Sequence, residues 1–477
     1  MANAKIAFLN EREEDLIHKQ SIRTLEEIGV KIHSQSVLRL LEAKGATVDY
    51  DAMTAILPEK MVEEALESAP KRFTLCARDP KHNLTLPSHP YPYATTGGLA
   101  PFVTDFRTGE YRSPTRKDVA EFSKLSDALK PVDYLWTSLT ATDVPPLAHG
   151  PHELWMTMRN TTKHVQGVTV QSAEDASVQV ELAALVAGGK ETLKKNPFMS
   201  VICCPIAPLS FERGSVEAQV EFAKAGVPIC SMSMSIGGIT APVTVAGMIT
   251  NANTENLASI VITQAASAGS PHVYTSESSP MDLKTGCIDY SALEKSLISI
   301  GSGQMARRYG LPCLVADIGF GYDVHGGIAD FTSLATTFLG TASYSDLVTG
   351  MGSVDDAKGI SFEQLVIDAY IWECLRESFK EVEISEETIG VDIVKTVGHG
   401  RDFLTSRHTV QHMRKEITRF DKNKLDMLAK DTAELIADSK SVINRLLKDH
   451  LVPPIDESII RQGDEIIRAY EKRVGGG

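Results

Sequence analysis

The chain has 477 residues, 43% hydrophobic and 23% charged, which exceeds one domain of ~150 residues and suits an α/β barrel of ~250 residues with added helical segments. Its net charge of −14, from 48 basic and 62 acidic residues, argues against nucleic acid or an anionic membrane surface as the main partner. The opening MANAKIAFLNEREEDL lacks an apolar signal core, and no run of about 20 apolar residues occurs, so no membrane span is expected.

In chain order, residues 11–70 carry helical periodicity. An amphipathic segment covers 12–30 with Gly29 as its stop, and a second covers 35–45, closed by Gly45. Pro58 then opens EKMVEEALESAP. The pattern changes beyond this point. Short apolar runs near 92–97, 133–140, 164–170, 198–204, 227–233, 271–276, 312–318 and 344–349 alternate with helix-length segments at 174–187, 212–225, 251–268, 291–309 and 330–342. Alternation of near-continuous apolar strands with helices means a parallel sheet, and eight repeats favour a closed (β/α)₈ TIM barrel over a doubly wound open sheet. Residues 361–475 return to helix, with a capping signature at Ser385–Glu386 and a charged terminal helix at 456–474. The expected organisation is an N-terminal helical extension over 1–90, the barrel over 91–355, and a C-terminal helical extension packed on the barrel over 356–477.

Several motifs fail. The run His152-Glu-Leu-Trp-Met156 lacks the second histidine of a zinc protease site. Gly319-Phe-Gly321 is followed by Tyr-Asp-Val, so no dinucleotide fingerprint exists, and no phosphate loop or nucleophile elbow occurs. Asp323-Val-His325 resembles the cobalt-ligating Asp-x-His-x-x-Gly of corrinoid carriers, but Ile328 stands where the glycine belongs. The seven cysteines, Cys76, Cys203, Cys204, Cys230, Cys287, Cys313 and Cys374, form no CxxC pair. Most read as small buried hydrophobes, the usage fits a reducing cytoplasm, and no metal site is expected.

In a parallel barrel the active site lies at the C-terminal strand ends. Those regions carry Tyr93, Gly97 and Gly98; Trp136; His164 and Gln166; Tyr274 and Glu277; and Asp317, Phe320, Tyr322 and His325. Glycines let a ligand approach the backbone. Aromatic faces attract a quaternary ammonium by about 0.5–2 kcal/mol each. Lysine is missing from these segments and the carboxylates look isolated, which disfavours aldolase or hydrolase chemistry. Taken singly, each aromatic fits barrel core as well as a cation cage. His152 and Trp155 fit either the mouth or a helix surface.

The runs PKRFTLCARD (70–79), CPIAPLSF (204–211), SMSMSIGG (231–238), GLPCLVADIG (310–319), SFEQLVIDAYI (361–371) and EISEETIGVDIVKTVGHGRDFL (383–404) together resemble the trimethylamine methyltransferase family, from about residue 15 to about residue 470. The resemblance implies a TIM barrel, a homo-oligomer, and methyl transfer to the Co(I) corrinoid (a cobalamin) of a separate corrinoid protein, with no cofactor held tightly. Archaeal members place pyrrolysine where this chain has Gly319, so the resemblance points to the non-pyrrolysine branch. Members of that branch demethylate glycine betaine, proline betaine, carnitine or γ-butyrobetaine. Within that expectation Tyr93, Trp136, Tyr274, Phe320 and Tyr322 are cage candidates. Gly97, Gly98, His164, Gln166 and above all His325 are donors for a substrate carboxylate, and Glu277 and Asp317 bias the ammonium. A non-catalytic quaternary-amine-binding barrel would share the cage and differ by lack of turnover.

Overall fold

The structure, a computed structural model, describes residues 5–318 and 337–475. Eight parallel strands close into a barrel. They are β1 (Tyr93–Thr96), β2 (Tyr134–Trp136), β3 (His164–Gly167), β4 (Met199–Cys203), β5 (Ile229–Ser233), β6 (His272–Ser276), β7 (Cys313–Asp317) and β8 (Leu347–Met351). Each lies inside or within a residue or two of an expected apolar run. Closure comes from β8 pairing with β1, Leu347 opposite Tyr93 and Met351 opposite Thr96. The strands are buried on both faces, which is why they read as apolar runs without alternation.

Helices α1 (Glu11–Glu27), α2 (Gln35–Glu42) and α3 (Glu59–Ser68) precede the barrel. Those wrapping it include α4 (Arg116–Ala128), α5 (His149–Arg159), α6 (Ala173–Ala187), α7 (Arg213–Lys224), α8 (Val245–Ala266) and α9 (Leu293–Arg308). Gly29 follows α1 with φ +74°, a left-handed conformation that glycine adopts without strain, and so ends the helix as expected. The 11–70 segment is not wholly helical. Strands Val30–Ile32, Thr47–Asp49 and Thr54–Ile56 form a small sheet, whose edge pairs with Ser210–Phe211 in the connection after β4. Three-residue strands are too short to show a period of two, so helical periodicity around them dominates the sequence signal.

A hairpin of Phe73–Leu75 and Leu84–Leu86 plugs the N-terminal end of the barrel. Its Leu75, Leu84 and Leu86 pack with the inward-facing Tyr134, Cys230, Val273, Leu314 and Leu347. The open end is therefore the C-terminal one, as barrel chemistry requires. Outside the barrel, α10 (Phe362–Leu375) and α11 (Thr432–Asp449) pack over α4. Helix α12 (Glu457–Val474) lies on α5 and α6, where Trp155 Nε1 donates to Asp464 at 2.8 Å and His152 meets Glu471 at 2.9 Å. His152 and Trp155 thus belong to a helix surface and not to the mouth. Among the described residues no helix is long and apolar enough to cross a membrane.

Gly463 sets how closely α12 approaches. A Cβ there would lie 2.2 Å from Trp155 Cζ2 and 2.5 Å from Cη2. Alanine must push the helix away or rotate the indole off Asp464. Gly463→Leu is expected to lower stability by about 2–3 kcal/mol, read as the chemical-denaturation midpoint. An unchanged midpoint would mean that α12 contributes nothing to the barrel's stability.

Candidate active site at the barrel mouth

Glu277 follows the last residue of β6, and its backbone N–H donates to Ser233 O at 2.9 Å. Asp317 ends β7. Between them stands Lys295, in the first turn of α9, whose ammonium donates to Glu277 Oε2 at 3.1 Å and Asp317 Oδ2 at 2.6 Å. It also lies 4.9 Å from the centre of the Tyr290 ring. The positive end of the helix dipole makes this a poor place for a lone cation, so the two carboxylates must hold it there. Lys295 is 2% exposed and Glu277 7%. Glu277 Oε1 is buried and has no hydrogen-bond partner among the described residues.

The charges of this cluster condition one another. Burial pushes the Glu277 carboxyl up to about 7; the Lys295 ammonium opposes that shift and Asp317 adds to it. Burial pulls Lys295 down, but Asp317 and Glu277 more than offset this, and its ammonium titrates above the ordinary lysine range. Burial, then Glu277, raises the Tyr290 hydroxyl to about 12. The carboxylates are therefore not isolated, and lysine is not missing from the mouth. Lys295 escapes a strand-end search because it arrives on the following helix.

Trp136 ends β2, and its indole Nε1 is buried without a partner among the described residues. A Cβ on Gly98 would sit 2.3 Å from Trp136 Cε3, and one on Gly97 would sit 1.8 Å from Ser353 Oγ. The side on which each glycine lacks a Cβ is filled by the chain's own Trp136 and Ser353, and the Gly97 N–H already donates to Met351 O at 2.9 Å. Deeper in the barrel Gln166 donates to Ser200 Oγ and Cys230 Sγ, both at 2.9 Å, and its Oε1 is left unpartnered. Above, Glu255 on α8 accepts from Ser233, Asn251 and the Leu209 backbone, which anchors the loops after β4 and β5.

Three expected residues lie elsewhere. His164 starts β3 and belongs to the plugged end: Nδ1 faces Cys76 O at 2.6 Å and Nε2 faces Ser200 Oγ at 2.8 Å. That pairing assigns the proton to Nδ1, and burial lowers the ring to about 4, so it stays neutral. Tyr93 starts β1 at the same end and packs against the cluster that holds the hairpin's Leu75, Leu84 and Leu86. Tyr274 points outward, its hydroxyl 3.3 Å from Asn253 Oδ1 on α8. Strand parity explains the error for Tyr274: Val273, one residue earlier, is the inward one. Gly319, Phe320, Tyr322, His325 and Ile328 lie outside the described residues.

The sequence pattern of the trimethylamine methyltransferase (MTTB) family matches residues 2–473. A trimethylamine methyltransferase from Desulfitobacterium hafniense is 28% identical, covering 98% of this chain and 95% of that protein. One from Methanosarcina barkeri is 27% identical over 96% and 94%. A glycine betaine methyltransferase from Desulfitobacterium hafniense is 27% identical over 99% and 98%. In fold, the chain is similar to the monomethylamine methyltransferase of Methanosarcina barkeri, with a TM-score of 0.56 at 12% identity, covering 94% of this chain and 90% of that one.

Proposed function

From the premise that this chain belongs to the trimethylamine methyltransferase family and is a methyltransferase, we propose that it moves a methyl group from a small quaternary amine, glycine betaine first, to the Co(I) corrinoid of a separate corrinoid protein. The observation that carries the substrate class is the mouth's charge: two carboxyls, Glu277 and Asp317, share one ammonium. Two carboxylates and one ammonium suit a cationic ligand. Trp136 offers an aromatic face and Gln166 a polar floor; Gly97 and Gly98 shape the wall. Phe320, Tyr322 and His325 keep their sequence-based roles. Glycine at 319, where the resemblance places pyrrolysine, supports a substrate that is already fully charged.

The chemistry asks little acid–base work of the protein. The methyl carbon leaves nitrogen, whose bonding pair stays behind as the lone pair of a neutral tertiary amine. The cobalt supplies the new bond's electron pair and ends as methyl-Co(III). No proton moves, so orientation and desolvation are the protein's contribution. Purified protein with cob(I)alamin and glycine betaine should yield methylcob(III)alamin, followed in the visible spectrum. Proline betaine, carnitine and γ-butyrobetaine form the comparison panel. Binding without turnover would make the chain a quaternary-amine-binding barrel, and inactivity without binding across all four would end the proposal.

A further inference from the structure

We propose that Lys295 is a positioning residue that clamps Glu277 and Asp317 into a paired, singly compensated counter-ion, so that the mouth holds a cationic head group in competition with a proton on Glu277. This deepens the quaternary-amine reading and rests on it.

The geometry carries the inference. Two N–H directions of Lys295 point to Glu277 Oε2 and Asp317 Oδ2, and the ammonium also faces the Tyr290 ring. Two of the three N–H groups of Lys295 are thus taken by the two acids. Its role is to set the spacing of the two acids and to cancel one of their two charges. Glu277 then presents Oε1, buried and unpartnered among the described residues. A buried carboxylate oxygen without a donor is costly unless a positive charge or a proton comes to it. A quaternary ammonium has no N–H to give, so it is held by charge and aromatic faces alone, and an acceptor-only oxygen is the fitting partner.

The same arrangement links binding to pH. Among the described residues, Glu277 meets Lys295 from α9 directly, and its charge also acts on Asp317 from β7, Tyr290 from the segment before α9 and Tyr134 from β2. Burial raises Glu277 itself to about 7. A cation binds its ionised form, so affinity is full above that pH and falls as pH drops through it.

The test uses the whole chain and two probes of one shape: glycine betaine, and 3,3-dimethylbutanoate, in which carbon replaces the charged nitrogen. Calorimetric titration of wild type should show the betaine Kd rising roughly tenfold per pH unit below about 7, with 3,3-dimethylbutanoate bound far more weakly. Glu277→Gln keeps an oxygen for Lys295 but removes the charge. It should weaken betaine binding on the order of 10²-fold, flatten the pH profile and narrow the preference between the probes. Lys295→Met should weaken betaine binding, and Lys295→Arg should restore part of it. A purely structural bridge predicts the reverse pattern: lower thermal stability in Glu277→Gln with unchanged affinity, pH profile and probe preference, and that result would overturn the inference. If wild type binds no quaternary amine at any pH, the functional reading itself fails; if it binds with no dependence on pH or on Glu277, only this inference fails.

Discussion

Replacing Lys163 by methionine is expected to destabilise the chain by about 3–5 kcal/mol, a fifth or more of what a domain ordinarily has. Lys163 precedes β3 and is 4% exposed. Its ammonium donates to three backbone carbonyls, Ser126 O at 2.9 Å, Leu129 O at 2.9 Å and Val132 O at 2.6 Å. These lie at and just beyond the C-terminal end of α4, where helix carbonyls have no internal donor and the dipole is negative. Methionine fills the space but orphans Ser126 O and Val132 O, at about 1–3 kcal/mol each, and leaves Leu129 O with only the Val132 backbone N–H at 3.1 Å. Denaturant titration reads the loss as a fall in midpoint. Burial lowers the Lys163 ammonium to about 8, against the pull of Asp127 and Asp133. The unfolded state then binds more protons above pH 8, so wild-type stability gains from this group as pH rises from about 8 towards the ordinary lysine value. The deficit of the variant should widen over that window; a flat deficit would show the three carbonyls holding the charged form.

The second large effect is expected on catalysis. Gly98→Ala places a Cβ 2.3 Å from Trp136 Cε3, closer than any real contact, so the indole must turn. Trp136 is 7% exposed at the end of β2, and its Nε1 has no partner among the described residues to hold it. Methyl transfer from glycine betaine should fall about 10–100-fold in kcat/KM, since displacing a positioning group by an ångström has effects of that size. The change should appear in tryptophan fluorescence. The chain has three tryptophans, and Trp155 and Trp372 lie in clusters outside the barrel. Altered fluorescence with unaltered kinetics would remove Trp136 from the site.

The errors at the site share one origin. His164 and Tyr93 belong to strands that reach the mouth, yet each is the first residue of its strand and lies at the plugged end. Tyr274 fails by one residue of parity. Lys295 is separated by 18 residues from Glu277 and by 22 from Asp317, and no local pattern joins them. Its helix has buried residues nearly throughout, so a lysine in that first turn reads as an ordinary helix start.

The sequence by itself determined the barrel: eight apolar runs alternating with helices, because hydrogen-bonded strands buried on both faces can tolerate little else. It determined the family as well, through long ordered stretches that reappear in its relatives across nearly the full length. The tertiary structure decided what the mouth is made of. Strand parity chose the inward side chains, the 73–86 hairpin chose which barrel end stays open, and a helix brought Lys295 to two carboxyls from different strands. Periodicity reports only that a residue is buried. Which partner it meets there depends on closure of the sheet, and closure joins residues that are far apart along the chain.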